Sequence, residues 1–502
     1  MRITNQMVTS SSLRNMQKSM QRVSKLNEQV TTGKKISAPS EDPVVAIRAL
    51  KLRTTCDQLD QYKEKNIPDA LSWLDTTQTS IQNVYNRLDD VYAYCEQGAS
   101  DTYQTKDRQT IINELYALKD AIYAEGGTTY AGRYLFSGYK TETNLIFQND
   151  EAKAGLSYNI TEDINPAKIE PKSVVLNEID ETQLDGILGG TTTYEAPVTE
   201  DVYRMRLAYS NLDTAASDIT ITVTAADGTE TTIIPTIKQV ADSATYYDVA
   251  DDGVNYIPET GEIIFGDAVH ASIKDAQNIQ VNYNKSDFEV GDLRPEMYFN
   301  CTQYKELSDG TIKETEFTID PDGQDIQYEV NFNQYITVNA EGKDLIKHDM
   351  GNKIEDLATA VQDVLDIEKT ITRLNELLVD PAYKNDENAI AQLNKMIEDA
   401  DIELALKREN MQKLFGNNMS NFQAFMEDVS AVQAKVGTTY SKLELIEVRV
   451  TEQVANFEEL KSSNEDIETE EAAIDLYQAE LVYESALSTT ASVIKKTLLD
   501  YL

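Results

Sequence analysis

Apolar residues recur at alternating steps of three and four along both ends of the chain, the spacing that places side chains on one face of an α-helix. The pattern predicts a first helix whose single apolar stripe consists of Leu13, Met16, Met20, Val23, Leu26 and Val30. Gly33 interrupts this stripe. A second helix is expected to begin at Pro43, a residue suited to the first helical turn, with Ser40 or Asp42 as its N-cap.

The most regular apolar pattern belongs to a third predicted helix. It runs from Ile67 to Cys95 in heptad spacing without a break and stops at Gly98. A further amphipathic helix follows from Ile111 and is expected to end before Gly126. The first quarter of the sequence is therefore predicted to be helical.

The C-terminal third shows the same helical period. It predicts helices over 352–379, 387–415 and 421–460. A final helix is predicted to carry on one side Ala472, Leu476, Ala479, Tyr483, Leu487, Ala491, Ile494, Leu498 and Tyr501. Apolar stripes of this length are expected to be buried, either between the two ends of the chain or against another molecule.

Between about residues 148 and 345 the period changes to the alternation of strands. Residues 218–237 alternate apolar and polar positions around Asp227-Gly228, which is a hairpin signal. The strings QNIQVNYN and QDIQYEVNFNQYITVNA predict further strands. The sequence thus predicts an α+β protein with helical ends, free to pack on each other, and a β-rich central insert.

Charge restricts the classes of partner. The 502 residues include 86 acidic and 45 basic side chains, for a formal net charge of -41. Nucleic acids and anionic membranes repel such a chain, so we expect neither as a partner. Residues 1–65 differ, with 12 basic against 6 acidic side chains. A basic start of this kind is typical of an interaction or export segment, or of a solvated helix face.

The sequence offers little for catalysis. It contains no glycine-rich phosphate loop, nucleophile elbow, CxxC or HExxH motif. Two histidines and three scattered cysteines are too few for a disulfide scaffold or a zinc site, and the cysteines are expected to be buried thiols. The acidic run over 465–471 is interpreted as a solvated helix start. We therefore expect no enzyme, no cofactor and no metal.

No segment has the roughly 18 consecutive apolar residues that a membrane-spanning helix needs. The first residues also lack the apolar region of a cleaved secretory signal. The expectation is a protein that is cytoplasmic or leaves the cell by a route that reads no such signal.

Two strings resemble a known family. LNEQVTTGKKISAPSEDPVVAIRAL (26–50) resembles the N-terminal signature of bacterial flagellins and, more closely, of the hook-filament junction proteins of the flagellin-like family. The pattern falls on Gln29, Thr32, Gly33, Lys34, Lys35, Glu41, Asp42 and Pro43. GRYLFSGYKTET (132–143) resembles the hairpin motif of the junction proteins, at Gly132, Tyr134, Leu135, Phe136, Ser137 and Gly138. Segments 443–476 and 477–502 are similar to the family's C-terminal helices.

The resemblance implies a fold in which the two termini pair as a coiled coil, with helical packing further out and a β-rich domain on the surface. It implies three domains: 1–40 with 465–502, 41–147 with 346–464 carrying the hairpin, and a surface-exposed insert over 148–345.

The resemblance also implies a structural role in motility, without catalysis. The protein is expected to be an extracellular axial part of the bacterial flagellum, exported through the type III channel without a cleaved signal peptide. It would link hook-associated protein 1 to flagellin at the hook-filament junction. The alternative within the family is flagellin itself or a minor flagellin paralogue.

Expected partners are further copies of the chain in a ring, hook-associated protein 1, flagellin, and an export chaperone bound at the C-terminal helix. Contacts for assembly are expected at Leu13, Met16, Met20, Val23, Leu26, Val30, Tyr483, Leu487, Ile494, Leu498, Leu499, Tyr501 and Leu502. Two other classes stay open: an enzyme hosted by the insert, and a cytoplasmic coiled-coil scaffold that is not exported.

Overall fold

A computed structural model describes residues 5–100, 105–215, 219–240, 246–307, 309–320 and 323–494. Long helices occupy both ends of this described part. The α-helices are α1 (Asn5–Thr32), α2 (Pro43–Gln61), α3 (Ile67–Gly98), α4 (Thr105–Glu125), α5 (Asp150–Lys153), α6 (Leu184–Leu188), α7 (Asp267–Ile273), α8 (Gly342–Leu345), α9 (His348–Val379), α10 (Glu387–Glu465) and α11 (Thr469–Ile494).

Most strands lie in the middle of the sequence. They are β1 (Thr129–Tyr130), β2 (Arg133–Tyr134), β3 (Leu156–Ile164), β4 (Glu170–Leu176), β5 (Val198–Arg206), β6 (Ile219–Thr224), β7 (Glu230–Ile233), β8 (Thr236–Ile237), β9 (Val254–Ile257), β10 (Glu262–Phe265), β11 (Asn278–Lys285), β12 (Asn300–Glu306), β13 (Ile312–Phe317), β14 (Gln327–Asn331) and β15 (Gln334–Thr337). The predicted α+β class, with helical ends and a β-rich insert, is confirmed.

Two sheets share one apolar core. A six-stranded sheet has the order β13-β12-β3-β11-β6-β7, and a five-stranded sheet has the order β4-β5-β10-β9-β8. Ile160 of the first sheet and Ile263 of the second belong to the same buried cluster. The predicted hairpin around Asp227-Gly228 is confirmed as the β6–β7 pair, with Gly228 at φ +83°. Glycine adopts this left-handed conformation without a steric penalty.

The chain divides into two compact units. The first consists of residues 1–71, 328–336 and 441–502, and the second of residues 72–327 and 337–440. The first unit contains both ends of the sequence, as the pairing of the termini requires. The three domain boundaries expected from the family resemblance stay a prediction.

In the first unit, a π-helical turn over Tyr62–Asn66 separates α2 from α3. The N–H of Ile67 donates to the carbonyl of Tyr62, five residues back. Pro68 explains the wider turn, because proline has no N–H for the normal bond and its ring clashes with the carbonyl four residues earlier. The turn directs Tyr62 and Asn66 at Glu329 of β14, with hydrogen bonds of 3.0 and 2.8 Å.

The predicted break between residues 415 and 421 is wrong, because α10 continues without interruption through Gly416. The polar side chains after Gly416 bond within the helix instead of ending it. Asn418 Nδ2 donates to the carbonyl of Leu414 at 3.1 Å, and Asn421 Nδ2 donates to Asn418 Oδ1 at 2.9 Å. Buried Phe422 on the next turn adds packing that outweighs the poor helix propensity of glycine.

A buried ionic network joins α9 to the five-stranded sheet in the second unit. Arg204 contacts Glu262 at 2.8 Å and Asp356 at 2.7 Å, and Arg206 contacts Asp356 at 2.7 Å. Lys172 reaches Glu262 at 2.8 Å. Because an unpaired buried charge is costly, these partners specify one position of α9 on the sheet.

Candidate assembly surface

The N-terminal helix α1 packs against the C-terminal helix α11 in the first unit. On α1, Met16, Val23, Leu26 and Val30 are half-buried. The α11 side of the interface is formed by small buried residues (Ala472, Ala479 and Thr490) together with half-buried Leu476, Tyr483 and Ala486. The predicted pairing of the two ends is thus present within one chain.

The prediction of a single apolar stripe on α1 is wrong in two places. Leu13 is 38% exposed and Met20 is 57% exposed, whereas the adjacent Ser12 and Ser19 are half-buried. The buried positions of α1 follow steps of four and three through these serines (12, 16, 19, 23, 26 and 30), which keeps the seam on one face of the helix. Leu13 and Met20 are therefore displaced to the outer side of α1.

The predicted stripe on α11 also changes near its end. Leu487 is exposed, and Ala486 takes its place toward α1. The side chain of Ile494 and all of Leu498, Leu499, Tyr501 and Leu502 lie outside the described residues. The part that these residues play in binding partners stays a prediction.

The first residues of the N-terminal motif, Gln29, Thr32 and Gly33, form the end of α1. Gly33 has φ +71°, and its N–H donates to the carbonyl of Gln29 at 2.8 Å. Thr32 Oγ1 donates to the carbonyl of Glu28 at 2.8 Å, and Gln29 Nε2 donates to the carbonyl of Lys35 at 2.6 Å. The first two bonds satisfy carbonyls at the end of α1, and the third holds the sharp turn that follows the glycine cap.

The middle of the motif binds the other end of the chain. Lys34 and Asp466 form an isolated antiparallel β-bridge, and the N–H of Lys35 donates to the carbonyl of Glu465 at 2.7 Å. The Lys34 ammonium also lies 2.6 Å from the Asp466 carboxylate. We call Lys34, Lys35, Arg53, Glu465 and Asp466 the terminal bridge.

The prediction of a solvated acidic run over 465–471 is wrong at Glu465. The run that it begins was expected to be solvated, but its side chain is only 5% exposed and accepts two hydrogen bonds from Arg53. The Arg53 guanidinium lowers the pKa of Glu465. Lys34 also contacts this carboxylate, at 3.4 Å. Sequence periodicity gave no signal for this pair, because Arg53 and Glu465 are 412 positions apart.

The last part of the motif begins α2, as predicted. Asp42 Oδ1 accepts hydrogen bonds from the N–H groups of Val44 and Val45 at 3.0 and 3.1 Å, and Pro43 occupies the first turn. Asp42, and not Ser40, is therefore the N-cap. Glu41 accepts a 2.6 Å bond from Ser37 within the turn.

The second motif forms a hairpin in the second unit. Tyr130 pairs with Arg133, and the turn between them has Ala131 at φ +50° and Gly132 at φ +78°. Positive φ at both central residues is the geometry of a tight hairpin turn. The Arg133 guanidinium lies 4.9 Å from the ring of buried Trp73.

The rest of this motif is a buried anchor. Tyr134 closes the β1–β2 pair opposite Thr129, and Leu135, Phe136, Ser137 and Gly138 are buried. The carbonyl of Phe136 accepts from the N–H of Gly342 at 2.8 Å. Gly138 has φ +59°. The motif residues therefore hold the hairpin in place.

The outer surfaces of the first unit carry exposed apolar side chains on two helices. Val44, Ile47 and Leu50 are exposed on α2, and Ile474, Tyr477, Leu481 and Val482 are exposed on α11. Exposed apolar surface of this kind marks binding sites for other proteins. Among the described residues, no group of three or more His, Cys, Asp or Glu side chains could hold a metal ion. None of the described helices is both long and apolar enough to cross a membrane.

Residues 3–141 match the family described as the bacterial flagellin N-terminal helical region. Over 175 residues, 34% of this chain, the sequence is 29% identical to flagellar hook-associated protein 3 of Escherichia coli (strain K12), covering 53% of that protein. Over 166 residues, 33% of this chain, it is 26% identical to the flagellin of Clostridium tyrobutyricum, covering 43% of it. The chain thus spans about half the length of the curated relatives that it matches.

Among solved structures, flagellar hook-associated protein 3 from Legionella pneumophila aligns with a TM-score of 0.31 and 10% sequence identity, over 82% of this chain and 97% of that one. The three cysteines are free and buried, as expected. The comparisons support the expected resemblance: residues 3–141 match the bacterial flagellin N-terminal helical region, and the sequence is similar to flagellar hook-associated protein 3 over about a third of its length.

Proposed function

We propose that this protein is a structural axial component of the bacterial flagellum, located at the hook-filament junction. The observation that carries the proposal is the similarity to flagellar hook-associated protein 3, together with the family match over residues 3–141, which include Lys34, Lys35 and Arg53 of the terminal bridge. In this proposal the protein joins hook-associated protein 1 on one side to flagellin on the other, and copies of the chain form a ring. We assign it no catalytic activity and no cofactor.

The first unit is suited to such a role. The terminal bridge and the α1–α11 pair hold the two ends of one chain together, while apolar side chains such as Ile47 and Tyr477 remain exposed on the outer surfaces. Burial of these side chains against neighbouring subunits would stabilise an assembly by roughly 25 cal/mol for each Å² removed from water. The proposed partners would supply that burial.

Export is proposed to follow the flagellar type III route without a cleaved signal peptide, which places the protein outside the cell. A chain in a narrow channel is unfolded, so α1 and α11 can pair only after passage. Before export, a chaperone at the C-terminal helix would cover apolar positions such as Tyr483 and Leu487 and prevent aggregation.

A second candidate is flagellin itself, favoured by the similarity to the Clostridium tyrobutyricum protein. The two functions differ in copy number. A filament subunit would be present in great excess over hook components, whereas a junction protein would be present in an amount comparable to theirs. Quantitative mass spectrometry of purified flagella measures this ratio directly.

The decisive experiment is deletion of the gene in the bacterium that encodes the protein. The expected result is hooks without filaments in electron micrographs, with flagellin monomer released into the medium. Complementation with the intact gene must restore the filaments. Hooks without filaments and without released flagellin would favour the flagellin alternative. Normal filaments in the deletion strain would refute the junction function and the role of main filament subunit, and would favour a minor flagellin paralogue or a role outside the flagellar axis.

A further inference from the structure

The six-stranded sheet of the second unit has one face toward the apolar core and one face toward solvent. On its four central strands (β12, β3, β11 and β6), every second residue points toward the core, as Tyr158, Ile160 and Val281 do. The residues between them point to the opposite side, because successive side chains of a strand alternate. These fourteen residues are half-buried or exposed, and we call them the polar face; they occupy alternate positions within 157–163, 220–224, 278–284 and 300–304.

The polar face is nearly uncharged. Its side chains are those of Asn, Gln, Ser and Thr, with Asp163 and Tyr304 as the two exceptions. Asp163 accepts hydrogen bonds from Asn278 Nδ2 at 2.9 Å and from Gln280 Nε2 at 3.0 Å. Charged residues make up 26% of the chain, yet these fourteen positions hold a single one. The face therefore differs in kind from the average surface of the protein.

Five residues of the polar face are asparagines, which are depleted in strands because their side chains favour local bonds in turns. Two of them lie side by side on neighbouring strands. Asn159 pairs with Asn284 in the β3–β11 register, and Asn159 Nδ2 donates to Asn284 Oδ1 at 2.7 Å. Residues that a sequence keeps against their local preference are expected at functional sites.

A cleft of about 280 Å³ opens at this asparagine pair, and Tyr304 and Asp213 also line it. Its volume is close to the lower end of the range for small-molecule sites, about 300 Å³. Asp213 Oδ1 accepts from Ser286 Oγ at 2.6 Å and from the Ser286 N–H at 3.2 Å. Both bonds use Oδ1, so within the described residues Asp213 Oδ2 is available to accept from a ligand hydroxyl.

The side chains of the polar face match the chemistry of a sugar. Amides and hydroxyls both donate and accept hydrogen bonds, as the hydroxyl groups of a sugar do. The ring of Tyr304 adds an apolar surface with a polar tip, which suits the C–H groups of a sugar ring. A protein partner would instead need a cluster of apolar anchors at the centre of the face, and Tyr304 is the only large apolar side chain among these fourteen residues.

The edges of the sheet favour an uncharged ligand over an anionic one. Exposed Glu230 on β7 extends the row of Thr224, and exposed Glu314 and Glu316 on β13 extend the rows of Tyr304 and Thr302. Acidic side chains at both edges, in a chain of net charge -41, repel an acidic polymer.

We propose that the polar face binds an uncharged polysaccharide, a polymer of neutral hexoses, with one sugar unit in the cleft beside Asn159, Asn284 and Tyr304. The inference goes beyond the proposed function, because it concerns the β-rich insert and uses no residue of the terminal bridge.

The first test is native affinity electrophoresis of the purified full-length chain in gels that contain laminarin, mannan, galactan or dextran. Alginate is the anionic comparison, and serum albumin is the mobility reference. At least one of the neutral polysaccharides should retard the chain, whereas alginate should not. Retardation by none of the four, or equal retardation by alginate, would overturn the proposal.

Variants locate the binding site. Asn159→Ala combined with Asn284→Ala removes both partners of one hydrogen bond, so neither amide is left unpaired, and it should weaken affinity about tenfold. Tyr304→Ala should also weaken it about tenfold, whereas Tyr304→Phe keeps the ring and should retain most of the affinity. Thr231→Ala is the matched control, since exposed Thr231 points to the opposite side of edge strand β7. Unchanged affinity in both the asparagine and the Tyr304→Ala variants would overturn the proposal.

Circular dichroism melting and Trp73 fluorescence of each variant control for folding. If the asparagine variant does not fold, hydrogen exchange of the wild-type chain with the retarding polysaccharide still decides the question. Peptides from β3, β11 and β12 should gain protection, and protection confined to other segments would overturn the proposal. A chain that binds no neutral polysaccharide would leave the deletion experiment intact as an independent test of the proposed function.

Discussion

Arg53 and Glu465 join the two ends of the sequence through two parallel hydrogen bonds, Nε to Oε1 at 2.7 Å and Nη2 to Oε2 at 2.5 Å. A guanidinium that binds a carboxylate in this way fixes the direction as well as the position of its partner. The backbone pairing of Lys35 with Glu465 lies beside it. The polar terminal bridge therefore sets the register in which α1 and α11 begin to pair.

Arg53→Ala should weaken the terminal bridge by about 2 kcal/mol, because it leaves the buried Glu465 carboxylate with the longer Lys34 contact alone. Arg53→Lys keeps the charge and should recover part of the loss. Hydrogen exchange of the Lys35 amide, read by mass spectrometry, measures the local stability. Lys413→Ala, which removes an exposed ion pair with Glu409, is the matched control and should leave that amide unchanged.

Gly33→Ala should destabilise the first unit by about 1 kcal/mol, because φ +71° is strained for any residue with a Cβ atom. A Cβ at this position would meet no atom within 4 Å, so the effect is purely conformational. Gly416→Ala is the opposite case: it also meets nothing within 4 Å but lies inside α10. It should stabilise the protein by about 1 kcal/mol. Urea unfolding of both variants measures the two changes in the free energy of unfolding. Changes of the same sign would contradict the left-handed conformation of Gly33 or the helical conformation of Gly416.

Glu262 should make the second unit sensitive to acid. Burial opposes its ionisation, but Lys172 and Arg204 outweigh burial and lower the pKa of Glu262 to about 2. Because this pKa is depressed, the stabilisation is complete above the ordinary value near 4.5 and is lost as pH falls toward 2. A pKa shift of this size corresponds to a contribution of about 3 kcal/mol to the free energy of unfolding.

Glu262→Gln should therefore be less stable than the wild-type chain at pH 7 and should lose less stability on acidification. Thermal unfolding between pH 7 and pH 2, followed by circular dichroism, gives the comparison. Parallel pH profiles for the two proteins would show that Glu262 does not carry the effect.

The three cysteines should be inert in the folded protein. Burial raises the pKa of both Cys95 and Cys301 to about 12, and Cys56 is buried as well. Because the thiolate is the reactive form, a colorimetric thiol reagent at pH 8 should find no reactive group in the native chain and three in urea. A variant with Ser24→Cys on exposed α1 should add one reactive thiol to the native protein. Rapid reaction of the unaltered native chain would contradict this burial.

The sequence alone predicted the local backbone conformation wherever one residue determines it. Asp42 and Pro43 predicted the start of α2, and Gly33 predicted the end of α1. Asp227-Gly228 predicted the β6–β7 turn. In each case the backbone preference of a few neighbouring residues is enough, because no distant contact opposes it.

The sequence alone did not predict contacts between residues that are far apart in the chain. Ser12 and Ser19 lie in the α1 seam because the packing of α1 on α11 fixes which face of the helix is covered, whereas hydrophobicity alone selected Leu13 and Met20. Gly416 remains helical because the bonds and packing around it oppose its own preference. A single sequence does not encode such pairings in any local period.

The terminal bridge also makes the pairing of α1 depend on residues that are translated much later. Lys34 and Asp466 are separated by 432 positions, so Lys34 acquires its partner only after the intervening chain has been synthesised. Closing so long a loop costs conformational entropy, which slows the formation of the bridge. A prematurely terminated chain lacks Asp466 and cannot form the bridge at all. A chain truncated before residue 465 would leave Lys34 and Arg53 without their carboxylate partners and α1 without α11.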